Sequence, residues 1–222
     1  MRTSIDLGMH REAHYASLTP YQGELRRRLF WSVYMLDRVI AISLGRPVNL
    51  SDQDIDVKLP LDVDDTLNDN DRIASLLANA NSDGLPARRT TPTTSLTFWT
   101  ELLKLKRIES QIQCHIYRVD RSIESLKPEV APLLSRLEEW KSYTPNLTLA
   151  ENNYLDLLWN KATRLLLQPF LGILDPNDGL IKRCLTASGQ ICQIFKRMFQ
   201  QDSYGHSFIS VHSIFIAGVN IW

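Results

Sequence analysis

The sequence predicts an all-α fold, a helical bundle or array that carries one long extended acidic segment. Three observations predict it. Apolar residues recur every three or four positions through most of the chain, the spacing that lays a stripe along a helix. Strand-like alternation is confined to one stretch after Pro47, and glycine or proline stands where several periodic runs stop. With 222 residues and 44% hydrophobic content the chain can bury a core, and its length suits one compact unit.

The opening stretch, TSIDLGMHREAHYA, starts in helical register without a clear cap. From Glu24 onward, Leu25, Leu29, Val33, Leu36, Ile40 and Leu44 form a continuous stripe on a helix of about six turns. That stripe is expected to be an internal wall of the fold. The large side chains Phe30 and Trp31 beside it are expected to be buried, each contributing about 2 to 3 kcal/mol. Gly45 can adopt the left-handed conformation that closes a helix, and Pro47, with no amide hydrogen, cannot continue one. In NLSDQDIDVKLPLDVDD, Ile55, Val57, Leu59, Leu61 and Val63 alternate with acids and other residues, as in an extended segment laid over a surface. Pro60 argues against a central strand there.

Residues 68–95 hold Gly84, Pro86 and the run RRTTPTTS, and read as an internal flexible loop. Phe98, Leu102, Leu105, Ile108, Ile112, Ile116, Val119 and Ile123 predict one long amphipathic helix with Ser95 as its N-cap. Leu133, Leu137 and Trp140 predict a shorter one. Tyr154, Leu158, Ala162 and Leu165 mark another, which Pro169 ends, and DPNDG is a turn by composition. Two further periodic stretches, Ile181 to Phe199 and Tyr204 to Trp222, complete the chain. No stop signal follows the last, so the fold reads as truncated at both ends. No internal repeat is present.

Composition excludes several function classes. The 25 basic and 25 acidic side chains give a formal charge of zero, so no global field draws the chain to nucleic acid or anionic lipid. Three cysteines, Cys114, Cys184 and Cys192, are too few for a secreted disulfide framework and suit a reducing compartment. No signal peptide or anchor is written near Met1, and the apolar FISVHSIFIAGVNIW is shorter than the ~20 residues a bilayer requires. The sequons at Asn49 and Asn146 matter only in a secreted protein.

Catalytic and metal patterns fail on their details. His10 and His14 lie four apart in HREAH, but a metalloprotease H-E-x-x-H places its acid second, not third. Cys184 and Cys192 do not form the close pair that a zinc cluster needs. DQDIDVKLPLDV starts like a calcium loop, then offers Val57 where a glycine must turn and Val63 where a bidentate glutamate must ligate. DDTLN, from Asp64, is the nearest approach to the D-D-x-x-D of a helical metal-dependent enzyme. Arg26, Arg27 and Arg28 are consecutive, so on a helix they point about 100° apart and cannot face one phosphate strand. Salt bridging or a solvated face is their expected role. Asp37, at the edge of the stripe, needs a donor, with Arg46 or an arginine of another helix as the expected one.

ELRRRLFWSVYMLDRVIAISLGRP followed by DIDVKLP closely resembles the signature of the fungal-specific transcription factor domain, the middle homology region of fungal zinc-cluster regulators. The residues that carry the resemblance are Glu24, Arg26, Arg27, Arg28, Phe30, Trp31, Leu36, Asp37, Arg38, Gly45, Arg46, Pro47, Asp54, Asp56, Leu59 and Pro60. Weaker likeness continues through LGMHREA, LEEWKSYTP, LLLQPFL and FIAGVNIW, so it covers nearly all of residues 1–222. The resemblance implies an all-helical, non-catalytic regulatory domain of a nuclear protein that modulates RNA polymerase II transcription, its signature residues being mainly scaffold. It implies protein partners or self-association through helical faces, and a small-molecule effector. No catalytic, metal or cofactor residue is expected here, nor direct DNA binding, nor a membrane. Zinc is expected only in the six-cysteine DNA-binding region of a full-length homologue, which this chain lacks. Two other readings stand beside it: a stand-alone interaction module that competes with full-length regulators, and a small helical metal-dependent enzyme built on Asp64 and Asp65.

Overall fold

Residues 1–79, 93–142, 145–200 and 208–221 are described by the computed structural model. Among them are eight α-helices and no strand. These are α1 (Arg2–Asp6), α2 (Pro20–Leu44), α3 (Asn70–Asn79), α4 (Thr97–Ile116), α5 (Ile123–Ser142), α6 (Leu149–Leu167), α7 (Gly179–Gln200) and α8 (Phe208–Ile221). The chain divides into two compact units, Met1–Lys106 and Arg107–Trp222, where its length alone suggested one.

In the first unit the opening stretch is not one helix. Gly8 takes φ +66° and breaks it after α1, and a short 3-10 turn, Glu12–Tyr15, follows. A Cβ at Gly8 would lie 2.7 Å from the His14 ring, so this bend needs glycine on two counts. Thr19 then starts α2 with a capping box: its hydroxyl accepts the Gln22 N–H, the Gln22 side chain accepts the Thr19 N–H, and Pro20 fills the first helical position. At the other end Gly45 is left-handed, with φ 61° and ψ 34°, and the Arg46 N–H reaches back to the Ala41 carbonyl at 2.8 Å. The stop signal read from the sequence is therefore the stop observed.

The expected internal wall is on the outside. Leu25, Leu29, Leu36, Ile40 and Leu44 are all exposed, Leu36 by 61%. The face turned inward holds Glu24, Arg27, Phe30, Trp31, Tyr34, Asp37, Arg38 and Ala41. Both sets recur at helical spacing, so periodicity alone could not choose between them. What chooses is the partner. The inner face of α2 meets irregular chain, whose free carbonyls, N–H groups and carboxylates must be answered by polar side chains. Phe30 and Trp31 are buried as expected, with Tyr34 continuing the row edge to face at ring separations of 5.5 and 4.9 Å. Met9, Tyr15, Leu50, Val57 and Leu103 close around them.

Residues 50–63 are extended as expected, apart from a 3-10 turn at Asp52–Asp54, with Val57, Pro60 and Val63 buried. The span read as a loop from 68 to 95 contains α3. The Asp69 carboxylate caps it by accepting the Asp71 and Arg72 N–H groups, and Ile73 is wholly buried. Residues 80–92 lie outside the described set. Ser95 does not cap α4 as expected; its hydroxyl accepts the Asp65 N–H, 2.7 Å away.

The second unit follows the expected pattern more closely. α4 stops at Ile116, so Val119 is fully exposed and Ile123 opens α5 rather than prolonging α4. α5 is longer than its predicted core and contains Pro128 and Pro132, each of which removes an intrahelical bond. Its buried series Leu126, Val130, Leu133, Leu137 and Trp140 keeps it helical through packing. α5 packs on α6, α6 on α7 and α7 on α8. A Thr148–Glu151 capping box begins α6, a 3-10 turn through Pro169 ends it, and a turn closed by Asp178 N–H to the Asp175 carbonyl leads to α7. Leu157, Ile191, Ile194, Phe195 and Ala217 form an apolar cluster. The predicted start of the last helix at Tyr204, and Trp222, lie outside the described residues.

Candidate functional site

The inner face of α2 binds two other segments of its unit. Arg27 pairs with Glu12 at 2.5 Å, and the second Glu12 oxygen accepts the Lys58 N–H at 3.1 Å. Glu24 Oε1 accepts the Leu61 N–H at 2.9 Å and Arg28 Nε at 3.3 Å. The Trp31 indole donates to the Lys58 carbonyl at 2.8 Å, and the Tyr34 hydroxyl to Asp52 at 2.9 Å. Arg38, fully buried, donates to Asp37 at 2.7 Å, the Leu50 carbonyl at 2.6 Å and Asp52 at 2.7 Å, with its guanidinium 4.0 Å from the Tyr34 ring centre. One helix face thus fastens the chain before it and the acidic segment after it.

Charge is answered unevenly along this face. Burial works to lower the Arg38 pKa, but the oxygens of Tyr34, Asp52 and Asp37 outweigh it and hold the value above ordinary, so the cation persists in the interior. Burial pushes the Glu24 pKa up, opposed by the Leu61 N–H and the arginines, and its second oxygen is buried without a hydrogen-bond partner. Exposed Asp56 goes down, chiefly because it accepts the Glu12 N–H, 2.7 Å away, with Arg11 beside it.

Most of the signature residues meet here. The three consecutive arginines diverge as expected: Arg26 donates to the Leu7 carbonyl, Arg27 to Glu12, and Arg28 to Glu24 and Asp65. Asp37 is buried, but its donors are Arg38 next to it and the Asn49 backbone and side chain, not Arg46. Leu59 packs at the rim of the aromatic cluster and Pro60 is buried. Asp54 is exposed on its turn, and the carboxylate that meets Arg38 is Asp52, two residues earlier. Glu12, Tyr34, Asn49 and Asp52 were missed. The signal for Tyr34 was its register, because Glu24, Arg27, Trp31, Tyr34, Arg38 and Ala41 repeat at alternating three- and four-residue steps.

The rejected chemistries find their residues engaged elsewhere. Asp52 and Asp56 of the calcium-like run face different partners. Asp64 accepts the Ser95 N–H and Asp65 takes Arg28, so neither lies on a helix lining a cavity. His10 lies in the turn that follows α1 and His14 in the 3-10 turn after it, so the two do not share a helix, and the His10 carbonyl accepts N–H groups from Asp56 and Val57.

Beside this network a groove of about 450 Å³ runs along the outer side of α2. Val33, Leu36, Ile40 and Ala41 give it an apolar wall, with Asp37 and Arg46 at its polar end. In the second unit the buried cation is Arg164. Burial lowers its pKa despite Tyr117, Cys184 and Glu109, and its Nε is buried with no hydrogen-bond partner. The Tyr117 hydroxyl, donating to the Leu165 carbonyl, is pushed up to about 12 by burial.

Residues 1–142 match the family model described as Fungal specific transcription factor domain. Among curated proteins, a transcriptional regulatory protein of Saccharomyces cerevisiae is 35% identical over 203 residues, covering 87% of this chain and 14% of the relative. Pyrimidine pathway regulatory protein 1 of the same yeast is 25% identical over 99% of this chain and 25% of its own length. An ABC-transporter-regulating transcription factor of Aspergillus fumigatus is 28% identical over 65% of this chain and 15% of its own. The chain therefore spans less than a third of the length of these relatives. No solved structure matches it. No helix among the described residues is long and apolar enough to cross a membrane.

Proposed function

The chain belongs to the fungal-specific transcription factor domain family, and on that premise we propose that it is a non-catalytic regulatory domain of a nuclear zinc-cluster regulator, modulating transcription when a protein partner or effector binds. The observation that carries this reading is the division of labour on α2. Its signature residues Glu24, Arg27, Arg28, Trp31, Asp37 and Arg38 are engaged in fastening their own unit, while the aliphatic face, which includes the signature's Leu36, and the groove beside it remain open. A regulatory helix of this kind acts through differential binding to alternative packings, without bond chemistry. The relatives are named as transcription regulators, which supports the same reading against an enzyme.

The test is a reporter assay in a fungal host. Fused between a heterologous DNA-binding domain and an activation domain, the chain is expected to change reporter output at matched protein level. Unchanged output would sink the regulatory reading. The purified chain alone is expected to give no sequence-selective, salt-sensitive DNA shift.

A further inference from the structure

α2 offers two periodic faces, and only the inner one is covered within its unit. On the outer face Leu25, Leu29, Leu36, Ile40 and Leu44 are 43% to 61% exposed. From Leu25 to Leu44 they run along roughly 28 Å of helix. Single exposed leucines are ordinary, but a row at helical spacing is a contiguous apolar patch of the kind that marks an interaction surface. Toward its C-terminal half the row deepens into the groove beside Val33, Leu36 and Ile40.

The charge at the groove is one-sided. Both Asp37 oxygens are taken, by Arg38 and by Asn49. Arg46, exposed at the same end, makes no side-chain hydrogen bond or ion pair among the described residues. The surface is thus an apolar trough with an unanswered positive charge at its end.

We propose that the outer face of α2 docks an amphipathic helix of a separate polypeptide, with Leu- or Ile-type residues at i, i+4, i+7 and i+11 along the trough and a carboxylate beyond them that pairs with Arg46. This rests on the reading of a partner-responsive regulatory domain and names the chemistry of the partner. A small molecule would fill the groove but leave Leu25 and Leu29 in water. A second copy would supply no answering charge from its own α2, because the two carboxylates of that helix, Glu24 and Asp37, are buried.

The experiment is a fluorescence-anisotropy titration of the full 222-residue chain. The probe is a labelled synthetic helical peptide of about twenty residues with leucines at those spacings and one terminal glutamate. Controls are the same peptide with lysine for glutamate and a scramble of equal composition. The wild-type chain is expected to bind the glutamate peptide at least about tenfold more tightly than either control, and Leu36→Asp to weaken binding at least about tenfold. Arg46→Glu is expected to reverse the preference toward the lysine peptide. Both side chains are exposed, so circular dichroism should show both variants folded. Equal affinity for all three peptides, or binding indifferent to Leu36→Asp, would overturn the proposal. So would sedimentation showing a wild-type dimer that Leu36→Asp dissociates, because a second copy would then occupy the face. A reporter effect without peptide binding would remove the docking surface alone. Peptide binding with a silent reporter would remove the regulatory reading alone.

Discussion

In Arg107–Trp222 each helix from α5 onward buries aliphatic side chains against the next, whereas in Met1–Lys106 α2 turns charged and aromatic side chains inward onto irregular chain. The difference lies in what the helix meets. A neighbouring helix has satisfied its own backbone and asks only for close-packed apolar surface. An extended segment brings unpaired carbonyls and N–H groups, and the face that covers it must carry donors and acceptors at matching positions. The same three-or-four periodicity thus marks a greasy interior face in one unit and a greasy exterior face in the other.

The sharpest way to break this comparison is to remove the polar centre of the first unit. Arg38→Met leaves Asp37 and Asp52 without their buried cation, and is expected to lower unfolding stability by about 3 to 5 kcal/mol in urea titrations followed by circular dichroism. A loss under about 1 kcal/mol would mean that apolar contacts alone hold α2. In the second unit, Leu137→Ala empties a fully buried site of α5 and should cost about 2 to 4 kcal/mol by the same measurement. An effect near zero would contradict aliphatic packing as its source of stability.

Gly45→Val forces a β-branched side chain into the left-handed region, with an expected loss of about 1 to 2 kcal/mol in the denaturant midpoint. No Cβ contact opposes it, so the whole effect would be backbone strain and would isolate the helix stop from the packing around it. The gentlest probe is Glu24→Gln. Because burial raises the folded pKa of Glu24 above its ordinary 4.5, the stability it contributes is present below 4.5 and lost as pH rises through the folded value. The glutamine variant keeps an acceptor for the Leu61 N–H. Its stability is therefore expected to fall less than that of the wild type as pH is raised from 4.5, and parallel curves would show that Glu24 is not strained by its burial.

How far the fold could be read from the sequence follows the same line. The Gly45 stop, the extended run around Pro60, the Pro169 end and the buried series of α5 and α6 were legible, because each depends on local conformation or on helix against helix. The inward face of α2 was not. Leu25 and Leu29 look like core until one knows that Lys58 and Leu61 lie across from Trp31 and Glu24 with backbone groups to satisfy. α3 was hidden by polar composition, although Asp69 and Ile73 gave a cap and a buried position four residues on. Asp54 was singled out only as part of the family signature, and in the turn Asp52–Asp54 it is Asp52 that meets Arg38. Arg46 or an arginine of another helix was expected at Asp37, and Arg38 of the same helix and Asn49 hold that carboxylate instead.

Pro128 and Pro132 stand four residues apart on the exposed side of α5. Neither has an amide hydrogen, so the carbonyls of Glu124 and Pro128 are left facing water along a single line. Aliphatic side chains pack along one edge of this rod and water meets the other, the arrangement that bows a helix with its convex side toward solvent.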